Sequence, residues 1–368
     1  MDKSDKTVLV GMSGGIDSTA VCHMLLSQGY KVQGLTFVTC DAGLGAVASA
    51  SALAGCLGIP HHVADVRDSF RKTVIEPFID DYMAGRTPNP CVNCNRLVKF
   101  ALLEEWADRL GCRYIATGHY VKVVERSFAT ESGVGKRYYI LTGDDDRKDQ
   151  SYFLWRLTQQ QLSRVLFPLG GWEKPAVIDY LKEHNLQFVA DGGESMEVCF
   201  IPGDYRDFLR SNVPEIEKRF SGGMFVDSDG RSLGTHKGYP FYTIGQRKGL
   251  GVALGYPAYV VKVNAEKNTV MLGREEQLLA KYMLVEEPCW VGGVPENLSV
   301  RVRYRSHPVQ CDAPRAVGDG RWIVRLHSEV SAITPGQSAV FYEGNMVVGG
   351  AFIAQQRGIN QWINNDEQ

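Results

Sequence analysis

The sequence predicts an α/β protein: a parallel-sheet domain at the amino end, a small mostly-β central domain, and a carboxyl-terminal antiparallel β-barrel. Three observations predict it. Short strand-like stretches at 7–10, where the residues are mostly β-branched, and at 32–38, 62–66 and 114–117 alternate with helical stretches at 18–28, 45–57 and 97–110, the order of a parallel sheet with crossover helices. A glycine-rich turn, Gly11-Met12-Ser13-Gly14-Gly15-Ile16-Asp17-Ser18, joins the first strand to the first helix. After Gly203 helices fade, apart from one near 205–212, and short strands with Gly turns take over. The boundaries expected are 1–203, 204–277 and 278–368.

Each element has a local reason. In the first helix Val21, Met24 and Leu25 share the inner face, Cys22 belongs to the core, and Gly29 closes the helix in the left-handed region. Gly58 stops the Ala-rich second helix. A further helix is expected at 174–184. The segments 299–305, 321–327 and 338–353, the last turning at Gly344-Asn345, alternate as strands of a small barrel.

The turn after the first strand suits a phosphate. Ser13, Gly14 and Gly15 let the backbone bend sharply and aim several N–H groups at one spot, and the helix adds its positive end. No lysine follows the glycines, so an ordinary Walker A loop is excluded. The plainer alternative is a tight turn capped by Asp17 or Ser18. Residues 13–18 resemble the PP-loop of ATP pyrophosphatases, an adenine nucleotide α-hydrolase-like fold. Such enzymes cut ATP between the α and β phosphates and adenylylate their substrate, with Asp17 the partner for Mg²⁺. The ligand crevice belongs at the carboxyl ends of the strands, where Phe37 and Gly118 also emerge and adenine can rest.

Composition bounds the rest. With 368 residues the chain has length for two or three domains, and its net charge of -2 gives no global preference for a polyanion. The apolar run after residues 1–7 is too short for a signal segment or a membrane span, so a cytoplasmic location is expected. Nine cysteines, an odd number, argue for reduced thiols rather than a disulfide framework.

Two thiols stand out in 84–96, where Pro88 and Pro90 are expected to hold the backbone extended. Asn95 is placed to cap the helix at 97–110, which sets Cys94 just before a helix amino end and predicts a lowered pKa. Cys91 and Cys94 form a Cys-x-x-Cys pair, but no second pair completes a zinc site. Adjacent His61 and His62 face opposite sides of a strand and read as structural. His119, at a strand end beside Gly118, is either a core histidine or a substrate contact. Cys199 lies among apolar residues, whose ordinary reading is a buried inert thiol.

The assembled motifs resemble the bacterial tRNA-specific 2-thiouridylase family over nearly the whole chain. They are 11–18, Gly85-Arg86-Thr87-Pro88-Asn89-Pro90 with Cys94-Asn95, Thr117-Gly118-His119-Tyr120, Lys148-Asp149-Gln150-Ser151-Tyr152-Phe153-Leu154, Cys199-Phe200-Ile201, Gly245-Gln246-Arg247-Lys248-Gly249-Leu250-Gly251 and Thr334-Pro335-Gly336-Gln337-Ser338-Ala339-Val340. The resemblance implies ATP-dependent 2-thiolation of the wobble uridine, position 34, of tRNA. It makes Cys94 the nucleophile and Cys199 the carrier of a persulfide, and places Asn89, Pro90 and Cys91 around a flipped-out base. It also implies tRNA contacts at His119, Lys148, Asp149, Gln150, Arg247, Lys248, Arg303, Tyr304 and Gln337.

The chemistry gives those parts a reason. The C2 oxygen of uracil leaves badly until it carries AMP, and a persulfide is a better nucleophile near neutral pH than a thiol. A Cys94–Cys199 disulfide would remain for a reductant to open. Sulfur would come from a persulfide-donating carrier or a cysteine desulfurase relay. This chain departs from the family at Cys91, where many relatives have Asp. Cys91, Cys94 and Cys199 are therefore also candidate ligands of a [4Fe–4S] cluster. Residues 39–51 lack the acidic insertion of well-known members, which bears on the sulfur-delivery partner.

Overall fold

A computed structural model of the chain describes residues 6–130, 133–186 and 198–363, in two compact units. The first unit comprises residues up to Ile75, Pro90–Phe200 and Asn345–Val348. Its opening elements are β1 (Thr7–Gly11), α1 (Ile16–Ser27), β2 (Lys31–Val38), α2 (Leu44–Leu57), β3 (His61–Asp65) and α3 (Arg67–Phe70). Gly58 ends α2 with φ 66°, and Gly29 follows α1 with φ 79°, as their sequence positions require.

The helix α4 (Glu76–Met83) groups with the second unit, and the chain returns to the first at α5 (Pro90–Cys94). A π-helical turn, Asn95–Lys99, carries α5 into α6 (Phe100–Arg109). The first unit continues with β4 (Tyr114–Ala116), β5 (Val121–Thr130), β6 (Gly133–Thr142), α7 (Gln159–Arg164), β7 (Val165–Leu166) and α8 (Lys174–Glu183). Its main sheet runs β3-β2-β1-β4-β7, and every pairing in it is parallel. Val8, Leu9 and Val10 are fully buried at its centre, and α1 packs Ala20, Val21 and Leu25 on the face that carries Val8 and Val10. The chain order reverses at β1, so the β1 turn lies at the switch point of the sheet.

The second unit comprises Glu76–Asn89, Ile201–Gly344 and the residues after Val348. After α9 (Tyr205–Asn212) come β8 (Gly223–Val226), β9 (Ser232–His236), β10 (Tyr259–Asn264) and β11 (Thr269–Gly273), in the order β10-β11-β8-β9. The remaining strands are β12 (Leu279–Trp290), β13 (Ser299–Arg301), β14 (Val309–Gln310), β15 (Arg315–Gly318), β16 (Arg321–Ser331), β17 (Ser338–Glu343) and β18 (Met346–Ile353). They run β14-β13-β17-β18-β12-β16-β15 with antiparallel pairings. A bridge from Cys311, just past β14, to Leu326 of β16 curls this sheet back on itself. The curl buries Val285, Val324, Val340 and Phe341, and Gly344 makes the expected turn between β17 and β18 with φ 61°.

The structure departs from the sequence reading at the Pro88–Pro90 segment. The helix begins at Pro90, seven residues before the expected 97, because proline fits the first helical position, where its missing N–H is no loss. Asn95 therefore lies within the helical run and caps nothing: it is buried and its Nδ2 donates to the Phe153 carbonyl, 3.3 Å away. The β5–β6 hairpin and β12 were not anticipated from the sequence.

Candidate nucleotide and thiol site

The turn after β1 is held from several sides. Met12 N–H donates to the Leu35 carbonyl of β2 at 2.8 Å, and Thr36 Oγ1 donates to the Met12 carbonyl at 3.0 Å. Ser13 N–H donates to Ser18 Oγ at 3.2 Å, and both Ser18 Oγ and Thr19 Oγ1 donate to the Gly15 carbonyl. Ile16 and Ser18 open α1 as buried residues, while Ser13 stays exposed on the rim. Gly14 sits at φ 75°, and a Cβ there would lie 2.8 Å from the Ser49 Cβ on α2, so the loop needs glycine for both conformation and space. Gly11 ends β1, and Phe37, half-buried, lies near the end of β2.

Asp17 lies in the first turn of α1. Its Oδ1 accepts from the Tyr120 hydroxyl and from the Lys174 ammonium, each at 2.7 Å. Lys174 is buried at the start of α8, so this cation is taken out of water and set against one carboxylate. A Cβ on Gly118 would lie 2.8 Å from the Asp17 Cβ, so only glycine lets the end of β4 approach α1 this closely. Lys174 escaped the sequence reading because nothing in its spacing ties position 174 to position 17. Tyr120 stood in a quoted motif without a role.

The thiols gather near the same end of the sheet. Burial pushes the Cys94 thiol up to about 12, with Lys99 opposing and Cys199 and Cys91 adding to the rise. Burial likewise raises Cys91 to about 11, with Cys199 adding and Lys99 opposing. The lowered Cys94 pKa expected from a helix amino end is thus overturned: Cys94 ends α5 with helical φ and ψ, inside a continuous helical run and crowded by its surroundings. Cys199 is exposed rather than buried, correcting the inert-core reading. Crowding still raises its pKa, with Lys99 lowering and Cys40 raising it. Its neighbour Phe200 packs edge-on against Phe70 of α3, at 5.7 Å between ring centres. All nine cysteines are free. Among the described residues, no group of three or more His, Cys, Asp or Glu side chains is set to hold a metal.

The other named residues fall into two groups. His119 is buried with Nδ1 2.7 Å from Thr117 Oγ1, and burial together with Lys99 holds its pKa well below the usual histidine range. Asp149 is buried, its carboxylate accepting from the N–H groups of Gly143 and Ser151 and from the Ser151 hydroxyl. Gln150 Oε1 accepts from Tyr120 N–H, and the half-buried Lys148 opens this same segment.

In the second unit, Gln337 Nε2 donates to the carbonyls of Thr87 and Pro88 at 3.0 and 2.9 Å, and Thr87 N–H donates to the Pro335 carbonyl at 2.8 Å. Asn89 is buried with Nδ2 3.5 Å from Ser338 Oγ. Arg303 donates to the Ala332 carbonyl at 2.8 Å and to Thr334 Oγ1 at 3.1 Å, beside the half-buried Tyr304. Arg247 and Lys248 project exposed from a turn in which Gln246 Nε2 donates to the Lys248 carbonyl.

A parallel sheet with a Ser-Gly-Gly-x-Asp-Ser turn at its switch point defines a nucleotide-binding domain of the PP-loop class. Known families match along the chain: "tRNA methyl transferase HUP domain" over residues 6–203, "tRNA methyl transferase PRC-barrel domain" over 206–274, and "Aminomethyltransferase beta-barrel domain" over 280–353. The chain is 56% identical to a tRNA-specific 2-thiouridylase, MnmA 3, of Bacteroides fragilis, over 98% of this chain and 97% of that protein. It is 42% identical to the tRNA-specific 2-thiouridylase MnmA of Heliobacterium modesticaldum and 43% identical to that of Cytophaga hutchinsonii, covering 95% and 94% of this chain and 93% and 96% of those proteins. The chain belongs to the tRNA-specific 2-thiouridylase family, which are tRNA-uridine 2-sulfurtransferases. No helix among the described residues is long and apolar enough to cross a membrane.

Proposed function

We propose that this chain 2-thiolates the wobble uridine of tRNA at the expense of ATP, using Cys94 and Cys199 as the sulfur-handling pair. One observation carries the pairing. Cys199 raises the pKa of both Cys91 and Cys94, Cys40 raises that of Cys199, and Cys40 follows β2, the strand to which the nucleotide loop is bonded. Thiols and loop thus belong to one unit.

The β1 turn, 11–18, holds the ATP phosphates with its backbone N–H groups, and Phe37 and Gly118 flank the adenine. Asp17, whose Oδ1 accepts from Lys174 and Tyr120, would hold the Mg²⁺ that accompanies ATP, which would screen the phosphate charge. The uracil C2 oxygen attacks the α phosphate and pyrophosphate leaves. The sulfane sulfur of a Cys199 persulfide is the sulfur source. Either Cys94 attacks Cys199 Sγ, forming the disulfide and freeing hydrosulfide that displaces AMP from C2, or the terminal persulfide sulfur first displaces AMP from C2 and Cys94 then attacks Cys199 Sγ, forming the disulfide and leaving the transferred sulfur on C2. A thiol reductant opens the disulfide in either case. Cys199, exposed at the surface, is placed to be loaded by a persulfide carrier or a desulfurase.

Asn89, Pro90 and Cys91 receive the flipped base, and Gln337 serves it by holding Thr87 and Pro88 in place. Lys148, Gln150, Arg247, Lys248 and Tyr304 face the tRNA. His119, Asp149 and Arg303 act from behind that surface, each bonded to the segment it supports. The sequence domains remain 1–203, 204–277 and 278–368, and the enzyme works in the cytoplasm.

The influence of Cys199 on both Cys91 and Cys94 also favours a second reading, a [4Fe–4S] cluster. No step is routed through a cluster here. Iron and acid-labile sulfide in anaerobically purified protein decide this: activity without iron supports the thiol route. The principal test is Cys199→Ala. Thiolation is lost while tRNA binding persists; undiminished sulfur transfer would refute the role given to Cys199.

A further inference from the structure

The hairpin β5–β6 carries a charge arrangement that its own stability does not explain. Val121 to Thr130 pair residue by residue with Thr142 to Gly133, a ribbon of ten pairs. Its base is fixed: Tyr138 N–H donates to Gln159 Oε1, Gln159 Nε2 donates to the Tyr138 carbonyl, and Ile140 and Leu141 pair with Val347 and Met346. Beyond that base the strands are mostly exposed, with Phe128 and Val134 both open to solvent.

Directly opposed residues share a face of a two-stranded ribbon. One face holds Glu125 opposite Tyr138, and it is neutralised, since Glu125 takes the Lys136 ammonium at 2.8 Å and the Tyr138 hydroxyl at 2.8 Å. The other face sets Arg126 directly opposite Arg137. Like charges in directly opposed positions destabilise a ribbon. Among the described residues neither arginine has an ion-pair partner. Each is instead laid over an aromatic ring of its own face, Arg137 on Phe128 at 4.2 Å and Arg126 on Tyr139 at 5.9 Å. Lys122, also on this face, is spent on Asp144 at 2.6 Å.

We propose that the Arg126–Arg137 face of the β5–β6 ribbon is a docking surface for the phosphate backbone of the tRNA, separate from the residues that meet the target base. This rests on tRNA being the substrate. Stacking on the rings fixes the guanidinium planes and leaves their edge N–H groups free, the geometry that takes phosphate oxygens two at a time. An RNA backbone supplies neighbouring anions to two neighbouring cations, and it relieves the repulsion that the ribbon tolerates when empty. The guanidiniums lie over the rings, so this face offers cations to the phosphates, and the contact is indifferent to sequence.

The test is the salt dependence of tRNA binding by wild type, Arg126→Ala/Arg137→Ala and Arg126→Lys/Arg137→Lys, beside steady-state thiolation. The alanine pair should lower the slope of log K against log salt by about 1.4–1.8, two phosphate contacts' worth. It should raise KM for tRNA with kcat unchanged, and the lysine pair should restore most of the slope. Wild type that binds and thiolates tRNA, with an alanine pair of unchanged slope and KM, overturns the surface alone. Wild type that neither binds nor thiolates tRNA overturns the function on which it rests. An alanine pair that binds tRNA normally but accepts sulfur slowly from a persulfide-bearing protein shows the face to be a protein dock and also overturns the proposal.

Discussion

Asp17 ties three parts of the first unit together, since one oxygen takes Tyr120 from beyond β4 and Lys174 from α8 while its backbone opens α1. A hydrogen bond to a charged group contributes about 1.5–3 kcal/mol, so Lys174→Met should lower kcat/KM for ATP roughly 10- to 100-fold, read as pyrophosphate release. An unchanged value would make the pair merely structural. Cys94 gives a pH dependence with a definite sign. Its pKa is pushed up to about 12, so in the free chain the reactive thiolate is scarce at neutral pH and grows tenfold per pH unit. Alkylation of Cys94, followed at its own peptide by mass spectrometry, should rise with unit slope through pH 9, and Lys99→Met should slow it because the ammonium favours the thiolate. A plateau near pH 7 would contradict this assignment. Cys94 stands out in the sequence as a candidate thiol, but its ionisation is not legible there, because it is set first by burial in the fold and then by Cys199, far along the chain, beside the nearby Lys99 and Cys91.

At the scale of elements, the parallel sheet was legible because β1 carries a β-branched run, short strand-like stretches alternate with helical ones, and α1 and α2 each end at a glycine with positive φ. The start of α5 was misjudged because two prolines around Asn89 suggest extended chain, whereas Pro90 takes the first helical position, where proline is accepted. The π turn at Asn95–Lys99 follows from tertiary packing, and such turns collect at functional sites. The β5–β6 ribbon has no tight Asn-Gly or Gly-Gly turn to announce it, so its pairing shows only in the fold. One close approach ties element to function: Gly118 lets β4 end against Asp17. Gly118→Ala forces a 2.8 Å contact there, which should cost about 1–3 kcal/mol and be visible as a lower denaturation midpoint together with weaker ATP use. A variant of unchanged midpoint and activity would mean that the two elements are free to part.

Over the whole molecule, the chain passes repeatedly between its two units, with Glu76–Asn89 leaving the first and Asn345–Val348 returning to it. This interleaving was not legible in the sequence, where composition changes once, near Gly203. The departing segment is anchored within the second unit by stacking of Tyr82 on Tyr205, by Phe78 against Phe208, and by the Tyr239 hydroxyl on the Met83 carbonyl. With a net charge of -2 the whole chain has no general attraction for a polyanion, so the tRNA recognition proposed above is assigned to local groups, Arg247, Lys248 and the Arg126–Arg137 face. The central claim is that one bond of ATP is spent between its α and β phosphates for each sulfur placed on a wobble uridine. The most direct measurement counts AMP, pyrophosphate and 2-thiouridine together, using purified protein, ATP, a persulfide donor and a wobble-uridine tRNA. The expected result is equal amounts of all three, with the sulfur at position 34. Formation of ADP and phosphate, or 2-thiouridine made without ATP, would contradict it.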